Sequence, residues 1–159
     1  MKNPKPLKRH QAITSFSRDH HYGLLLVWKI RQGLKKTVKP ERISDYVTFI
    51  YNEDLGKHID EEEKLLLSKL EVGDLLRKRA EIDHLAIYAL AIAIEQKKDD
   101  PYLLKHLADV LEEHIRFEER ELFNHLQKTI STNELKSIEA RFSNNSKAID
   151  EKWKDAFWA

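Results

Sequence analysis

Cysteine is absent from this chain of 159 residues, and glycine and proline occur only four times each. The absence of cysteine excludes disulfide bonds, thiolate metal ligands and cysteine nucleophiles. Few glycines and prolines means few residues that interrupt helices, and Leu, Ile, Ala, Glu and Lys dominate what is left. This composition favours an all-α protein with solvated outer faces.

Long apolar runs and an excess of one charge are missing as well. No run approaches 18 apolar residues and the start of the chain is polar, so we expect no membrane partner and a cytoplasmic location. The 28 basic and 27 acidic residues leave a net charge of +1, which gives no broad electrostatic footprint for nucleic acid. The short basic run Lys2–Arg9 is expected to be a solvated tail.

Apolar periodicity and end signals predict four long helices. The first is expected from a cap at Ser15 or Ser17 to about Lys36, the second from Pro40 to about Leu70, the third from about Leu75 to Lys97, and the fourth over 101–129 after Asp100-Pro101. Long helices with short connections favour an antiparallel up-down-up-down four-helix bundle, with an additional short C-terminal helical segment.

The chain divides, on these signals, into three parts. Residues 1–14 are expected to form an N-terminal tail, 15–130 the bundle, and 131–159 a helical extension that packs on it. Ser131 and Glu134 match a capping box that opens a helix to about Phe142, and Asn144-Asn145 is expected to end it. The aromatic residues near the end of the chain are expected to pack across the bundle rather than contact a ligand: Trp153, Phe157 and Trp158.

Two of the predicted helices carry a His-x-x-x-Glu-Glu pattern with Leu or Phe one turn further on. The pattern occurs within 58–66 and again within 114–123. Residues four apart stack on one face of a helix, so each histidine lies beside a carboxylate. The other two long helices each add one inner histidine. Six side chains are therefore expected to meet at one height of the bundle: His20, His58, Glu62, His84, His114 and Glu118.

One such pair would mean little in a chain with eight histidines. The full set is more informative, because unpaired charges inside a bundle cost several kcal/mol each. No lysine or arginine is apparent on the inner faces near Glu62 and Glu118, so a pair of metal cations is the expected source of positive charge. Iron, manganese or zinc suits imidazole and carboxylate ligands.

The same residues resemble the motifs of the hemerythrin-like, or HHE cation-binding, family over roughly 15–128. Asp19-His20-His21 with Leu24-Leu25 is similar to its first-helix motif, the two His-x-x-x-Glu-Glu stretches to those of its second and fourth helices, and His84 to its third-helix histidine. The resemblance implies a non-haem di-iron centre, with manganese or zinc as substitutes. It also implies that Glu62 and Glu118 bridge the irons, with His20 and His58 in one half and His84 and His114 in the other.

Two departures from the oxygen-carrying members of that family stand out. Tyr88 occupies the position of a second histidine on the third helix, and Glu118 follows its histidine after four residues rather than five. Tyr88 is therefore considered as a phenolate ligand, as a hydrogen-bond donor to a bound oxygen species, or as a packing residue. His21 is considered as a second-shell residue, as a possible ligand or as a surface residue. Without the fifth histidine, simple reversible carriage of O₂ is not expected.

The expected function is to bind or sense O₂, peroxide or nitric oxide, or to handle iron, at this His/Glu centre. A peroxidase-like or ferroxidase-like enzyme is the alternative, and the sequence does not separate the two, because the same open iron serves both. A metal-free helical interaction module is the further alternative. We expect a monomer or a homodimer.

Overall fold

The computed structural model describes residues 8–142 and 145–159, and every regular element within them is a helix. The first helix, α1 (Gln11–Lys35), begins before the expected start at Ser15 or Ser17. Its cap is His10, whose Nδ1 accepts a hydrogen bond from the backbone N–H of Ala12 at 3.0 Å. The helix extends further because Ala12 and Ile13 are fully buried, so packing of this turn outweighs the preference for serine at the cap.

The second predicted helix is one continuous rod with an irregularity in it. It consists of α2 (Pro40–Ile50), a π-helical turn (Tyr51–Leu55) and α3 (Gly56–Leu65), and a 3₁₀ turn (Leu67–Lys69) follows. The fourth predicted helix is built in the same way, from α5 (Pro101–Phe117), a π-helical turn (Glu118–Leu122) and α6 (Phe123–Thr129). Single π-helical turns within α-helices are rare and often lie at functional sites. Neither was predicted.

The third helix, α4 (Leu75–Gln96), and helix α5 begin at the residues where they were predicted to begin. Asp74 accepts hydrogen bonds from the backbone N–H groups of Leu76 and Arg77, and Asp100 accepts one from Tyr102. These bonds satisfy N–H groups that have no partner within the helix, and so set the first turn of each.

The core consists of two apolar clusters. One contains Leu26, Ile30, Ile43, Ile94 and Leu104, and the other contains Ile13, Phe16, Leu66, Leu122 and Leu126. Each long helix contributes to both clusters, and on each helix the buried histidine lies near the boundary between them. A layer of polar side chains therefore crosses the molecule between two apolar halves.

The C-terminal extension contains α7 (Thr132–Arg141) and α8 (Ser146–Glu151). The predicted cap of α7 is confirmed, since Oγ of Ser131 accepts a hydrogen bond from the backbone N–H of Glu134 at 3.2 Å. Asn144 lies outside the described residues, as do residues 1–7 of the expected tail. The terminal aromatic rings pack around Tyr46 of α2, with centroid distances of 5.5–5.6 Å for Trp153, Phe157 and Trp158. The division into tail, bundle and extension stays a prediction.

Within residues 8–142 and 145–159, no helix combines the length and the apolar character that crossing a bilayer requires.

Candidate metal centre

Six buried polar side chains converge in the layer between the two apolar clusters, and they are the six that the sequence singles out. Glu62 is fully buried, and the other five side chains are at most 10% exposed. They come from all four long helices: His20 from α1, His58 and Glu62 from α3, His84 from α4, His114 from α5 and Glu118 from the π-helical turn that follows.

Each of the two carboxylates lies between two imidazoles. The Nε2 atoms of His58 and His84 are 3.6 Å and 3.4 Å from the two carboxylate oxygens of Glu62. Oε1 of Glu118 lies 2.9 Å from Nε2 of His114 and 3.2 Å from Nε2 of His20. All four histidines therefore direct Nε2 at one of two carboxylates, Glu62 or Glu118.

Two overlapping groups in this layer have the spacing of metal sites. Glu62, His84, His114 and Glu118 form one group, and His20, His58 and Glu62 form the other, with ligand atoms within 4.8 Å of one another in each. Glu62 belongs to both groups, so its two oxygens can serve two ions at once. The groups also separate His20 and His58 from His84 and His114, as the expected halves do.

The donor atoms of this layer fit metal ions because the protein leaves them without hydrogen-bond partners. Among the described residues, six buried atoms of the set have none: Nε2 of His58, His84 and His114, both carboxylate oxygens of Glu62, and Oε2 of Glu118. Each unsatisfied buried polar atom costs about 1–3 kcal/mol. A ligand that accepts lone pairs from imidazole and carboxylate together removes these costs, and a divalent or trivalent cation is such a ligand.

The outer edge of every imidazole is held by a second carboxylate. Because a carboxylate only accepts, each Nδ1 carries a hydrogen and donates it, so that Nε2 is the nitrogen with the free lone pair whenever the imidazole is neutral. Each bond joins a histidine to a residue on a neighbouring helix, so the four bonds form a closed ring around the centre. The pairs and their distances are His20–Glu119 at 2.6 Å, His58–Asp19 at 2.7 Å, His84–Glu63 at 3.0 Å and His114–Asp83 at 2.8 Å.

Sequence reasoning missed this ring. None of Glu63, Asp83 and Glu119 was predicted to contact an imidazole. A signal was present, because an Asp precedes each lone histidine and a second Glu follows each of Glu62 and Glu118. The pattern does not reveal the pairing, however, since each carboxylate contacts an imidazole from a different helix.

Glu119 is the most extensively bonded member of the ring. It also accepts a hydrogen bond from Oγ of Ser17 at 2.5 Å and forms an ion pair with Arg9. Arg9 additionally donates to the backbone oxygen of Glu119 at 2.7 Å, and its guanidinium lies over the ring of Phe123. The expectation that the basic run 2–9 is solvated is therefore wrong for Arg9, which anchors a residue next to the centre.

The charges in this layer shift the pKa values strongly. Burial lowers the pKa of each imidazole, but the surrounding carboxylates raise it by more. The result is a pKa of about 9 for His20, about 10 for His58 and His114, and a raised value for His84. Burial raises the pKa of Glu118 and of Glu119, but the imidazoles outweigh it. The pKa of Glu118 falls well below its usual value and that of Glu119 falls to about 2. The metal-free centre therefore holds protons that a cation must displace.

The structure places Tyr88 and His21 outside the cluster. The side chain of Tyr88 is 50% exposed, and its ring lies 6.3 Å from that of Tyr51 at the surface. The expectation that Tyr88 occupies a ligand position beside His84 is wrong, because α4 packs with His84 buried and with the next turn of that face, at Tyr88, toward the surface. His21 is exposed and contacts the ring of Tyr22, and neither His21 nor Tyr88 lines the cavity beside the six converging side chains.

A cavity of about 30 Å³ adjoins the centre. His20, His58, His114 and Glu118 form its polar side, and most of the remaining wall is apolar, including Leu26, Ile50, Ile87, Leu111 and Ile115. Gly23 also lines it, and a Cβ atom there would lie 2.8 Å from Cδ1 of Ile115, which accounts for a glycine inside α1. The space suits one small molecule of about two or three heavy atoms.

Comparison with known protein families gives a match over most of the chain. The family model described as hemerythrin HHE cation binding domain matches residues 10–126. This range includes all six converging side chains and ends before α7 and α8. No curated protein and no solved structure matches the chain.

Proposed function

This chain belongs to the hemerythrin family of HHE cation-binding domains, and we propose that it holds two iron ions and binds or senses a small ligand there. The observation that carries the proposal is the set of six unpartnered donor atoms at the centre of four carboxylate-supported imidazoles. The metal-free alternative requires these side chains to be hydrogen-bonded among themselves, and the unpartnered atoms count against it.

The proposed ligands are divided between the two ions as the geometry groups them. His84 and His114 would hold one ion, His20 and His58 would hold the other, and Glu62, which belongs to both groups, would serve both. Glu118 lies between His20 and His114, which supports a second bridging role. A bound iron pair would supply Lewis-acid and redox chemistry to a ligand in the adjoining cavity.

The residues of the chain prepare this site before any ion binds. The ring of carboxylates fixes the orientation and the tautomer of each imidazole, so little rearrangement is needed on binding. The apolar cavity wall keeps bulk water away and admits one molecule the size of O₂, hydrogen peroxide or nitric oxide.

We also propose the antiparallel up-down-up-down arrangement for the four long helices. Along α1 and α4 the chain passes from the cluster around Phe16 to the cluster around Ile30, and along the other two long helices it passes in the opposite direction. Such alternation is what an up-down-up-down bundle requires, and the shared layer at mid-height follows from it.

An enzyme with peroxidase-like or ferroxidase-like activity remains the alternative at the same centre. Turnover of hydrogen peroxide by the iron-loaded protein, lost in Glu118→Ala, would support it. Binding of nitric oxide without turnover of peroxide would support a carrier or sensor.

Metal analysis of the purified protein tests the proposal directly. Iron, manganese and zinc are measured together in the wild type, in Glu118→Ala and in Glu121→Ala, a matched variant of an exposed carboxylate in the same π-helical turn. We expect about two metal ions per chain in the wild type and in Glu121→Ala, and fewer in Glu118→Ala. A wild-type protein that contains no metal and takes none up would refute the proposal.

A further inference from the structure

A second space lies outside the cavity at the metal centre. This space, which we call the vestibule, has a volume of about 130 Å³. Four residues line both the vestibule and the inner cavity: Asp19, Asp54, His58 and Ser146. They therefore form the partition between the two spaces.

The partition contains a hydrogen bond between two distant parts of the chain. Oγ of Ser146, the first residue of α8, donates to Oδ1 of Asp54 at 2.9 Å. Asp54 lies in the π-helical turn that precedes α3, and Ser146 is 2% exposed. The C-terminal extension, which the family match does not include, thus supplies one side of the partition.

Helix α8 is fixed in this position by a buried ion pair. Nζ of Lys29 lies 3.1 Å from Oδ1 of Asp150, and it also donates to the hydroxyl of Tyr46 at 3.1 Å. The ammonium lies 3.8 Å from the centre of the Trp158 ring. Lys29 is 4% exposed, so this anchor holds the extension firmly against α1 and α2.

The vestibule has an excess of carboxyl groups. Its lining contains four of them, from Asp19, Glu53, Asp54 and Glu61, against two groups that can be cationic: Lys57, which lies 3.9 Å from Glu53, and His58. A recess whose lining carries net charge of one sign attracts ions of the opposite charge and repels ions of the same charge. Neutral molecules are not affected.

The position of His58 connects the vestibule to the candidate metal centre. The His58 side chain is nine-tenths buried, and its Nε2 atom has no hydrogen-bond partner among the described residues. That atom is 3.6 Å from Oε2 of Glu62, while the same side chain lines the vestibule. One imidazole thus separates the outer recess from the converging donor atoms.

We propose that the vestibule is the entrance to the metal centre, and that the hydrogen bond between Asp54 and Ser146 is the gate that closes it. Metal cations and neutral ligands of two to four atoms enter through it, and small anions are held back by the carboxylates. The inference rests on the proposed function and specifies the class of ligand that reaches the same site.

Stopped-flow measurements on the full chain test the charge selection. The probes are nitric oxide for the reduced iron-loaded protein, azide for the oxidised protein, and Co²⁺ uptake by the metal-free protein. In Glu53→Gln/Glu61→Gln, we expect the azide association rate to rise at least about threefold and Co²⁺ uptake to slow by a similar factor, with nitric oxide unchanged. Lys57→Glu should change both ion rates in the opposite direction. Asp99→Asn, at a position that lines neither space, is the matched control.

The gate is tested by Ser146→Ala, which removes the hydrogen bond to Asp54 and leaves the charged groups of the vestibule in place. We expect nitric oxide to associate faster by at least about threefold, because a closed path opens more often. Two results would overturn this inference alone, provided that the variants reach full metal content. One is that the charge variants show wild-type rates for azide association and Co²⁺ uptake. The other is that Ser146→Ala shows a wild-type rate of nitric oxide association. Absence of metal from the wild type would overturn the proposed function, and this inference with it.

Discussion

Asp83 directly precedes His84 in the chain, but its Oδ2 atom lies 2.8 Å from Nδ1 of His114, on the next long helix. His84 is held instead by Glu63, at 3.0 Å. Neighbours in the sequence thus support different imidazoles. The arrangement ties the four helices to one another through the centre, so the position of each proposed ligand depends on a helix other than its own.

Asp83→Asn should weaken metal binding by about 10–100-fold, because the neutral amide no longer raises the basicity of His114. The dissociation constant is measured by competition with a chelator of known affinity. Asp109→Asn is the control, since Asp109 forms an exposed ion pair with Arg31. Equal dissociation constants for the two variants would contradict a supporting role for Asp83.

Removing different ligands should change the metal content to different extents. His58 belongs only to the three-residue group, so His58→Ala should lose about half of the metal. Glu62 belongs to both groups, so Glu62→Ala should lose nearly all of it. His125→Ala is the control, because His125 pairs with Asp74 away from the cluster. Similar metal contents in the first two variants would argue against Glu62 as a bridge.

The metal-free protein should lose stability as the pH rises above neutral. The folded pKa values of about 9 for His20 and about 10 for His58 and His114 lie above the ordinary 6.5. The protonated imidazoles therefore stabilise the fold fully below about pH 6.5, and this contribution is lost as the pH rises through 9–10. Thermal unfolding of chelator-treated protein between pH 6 and 10 measures it. A melting temperature that stays constant over that range would exclude the effect.

Stability should also fall on the acid side, for the opposite reason. The folded pKa of Glu119, about 2, lies below its ordinary 4.5, so its contribution is present above about pH 4.5 and is lost as the pH falls toward 2.

Metal loading should release protons and should raise the melting temperature more at pH 8 than at pH 6, because the imidazoles bind metal only when neutral at Nε2. Equal increases at both pH values would count against binding through these histidines.

Lys29→Met should lower the free energy of unfolding by about 3–5 kcal/mol, since it leaves Asp150 without its buried partner. Urea denaturation measures the change. Lys98→Met is the matched control, because its ion pair with Asp45 is about half exposed on both sides and is worth about 0–1 kcal/mol. If the two variants lose the same amount, the Lys29 pair is not the anchor of the extension.

Gly33→Ala should destabilise the protein by about 1–3 kcal/mol. A Cβ atom there would lie 2.7 Å from Cδ1 of Ile43 and 2.9 Å from Cδ2 of Phe157, so three segments would have to separate. Gly73→Ala is the control, since no atom lies within 4 Å of a Cβ at that position and no glycine among the described residues has a positive φ. It should be neutral or stabilising by about 0.4–1 kcal/mol. A stable Gly33→Ala protein would show that these contacts can relax.

The sequence by itself determined the helices, most of their ends and the six converging side chains. Helical periodicity is a local property, and a His and a Glu four residues apart share a face wherever the helix packs. The caps at Asp74, Asp100 and Ser131 are local in the same sense, because each side chain bonds to backbone only two or three residues ahead. Such features depend on spacing along one chain segment, which the sequence states directly.

Only the tertiary structure decided how each helix is rotated and what each side chain meets. Tyr88 lies four residues after His84, as Glu62 and Glu118 lie four after their histidines, but α4 is rotated so that His84 is buried and Tyr88 is half exposed. The carboxylate that supports each imidazole, the contact of Arg9 with Glu119, and the bond from Ser146 to Asp54 all join residues from different segments of the fold. Periodicity tells which residues face inward, but the partner across a gap depends on packing between elements, and packing is a property of the whole fold.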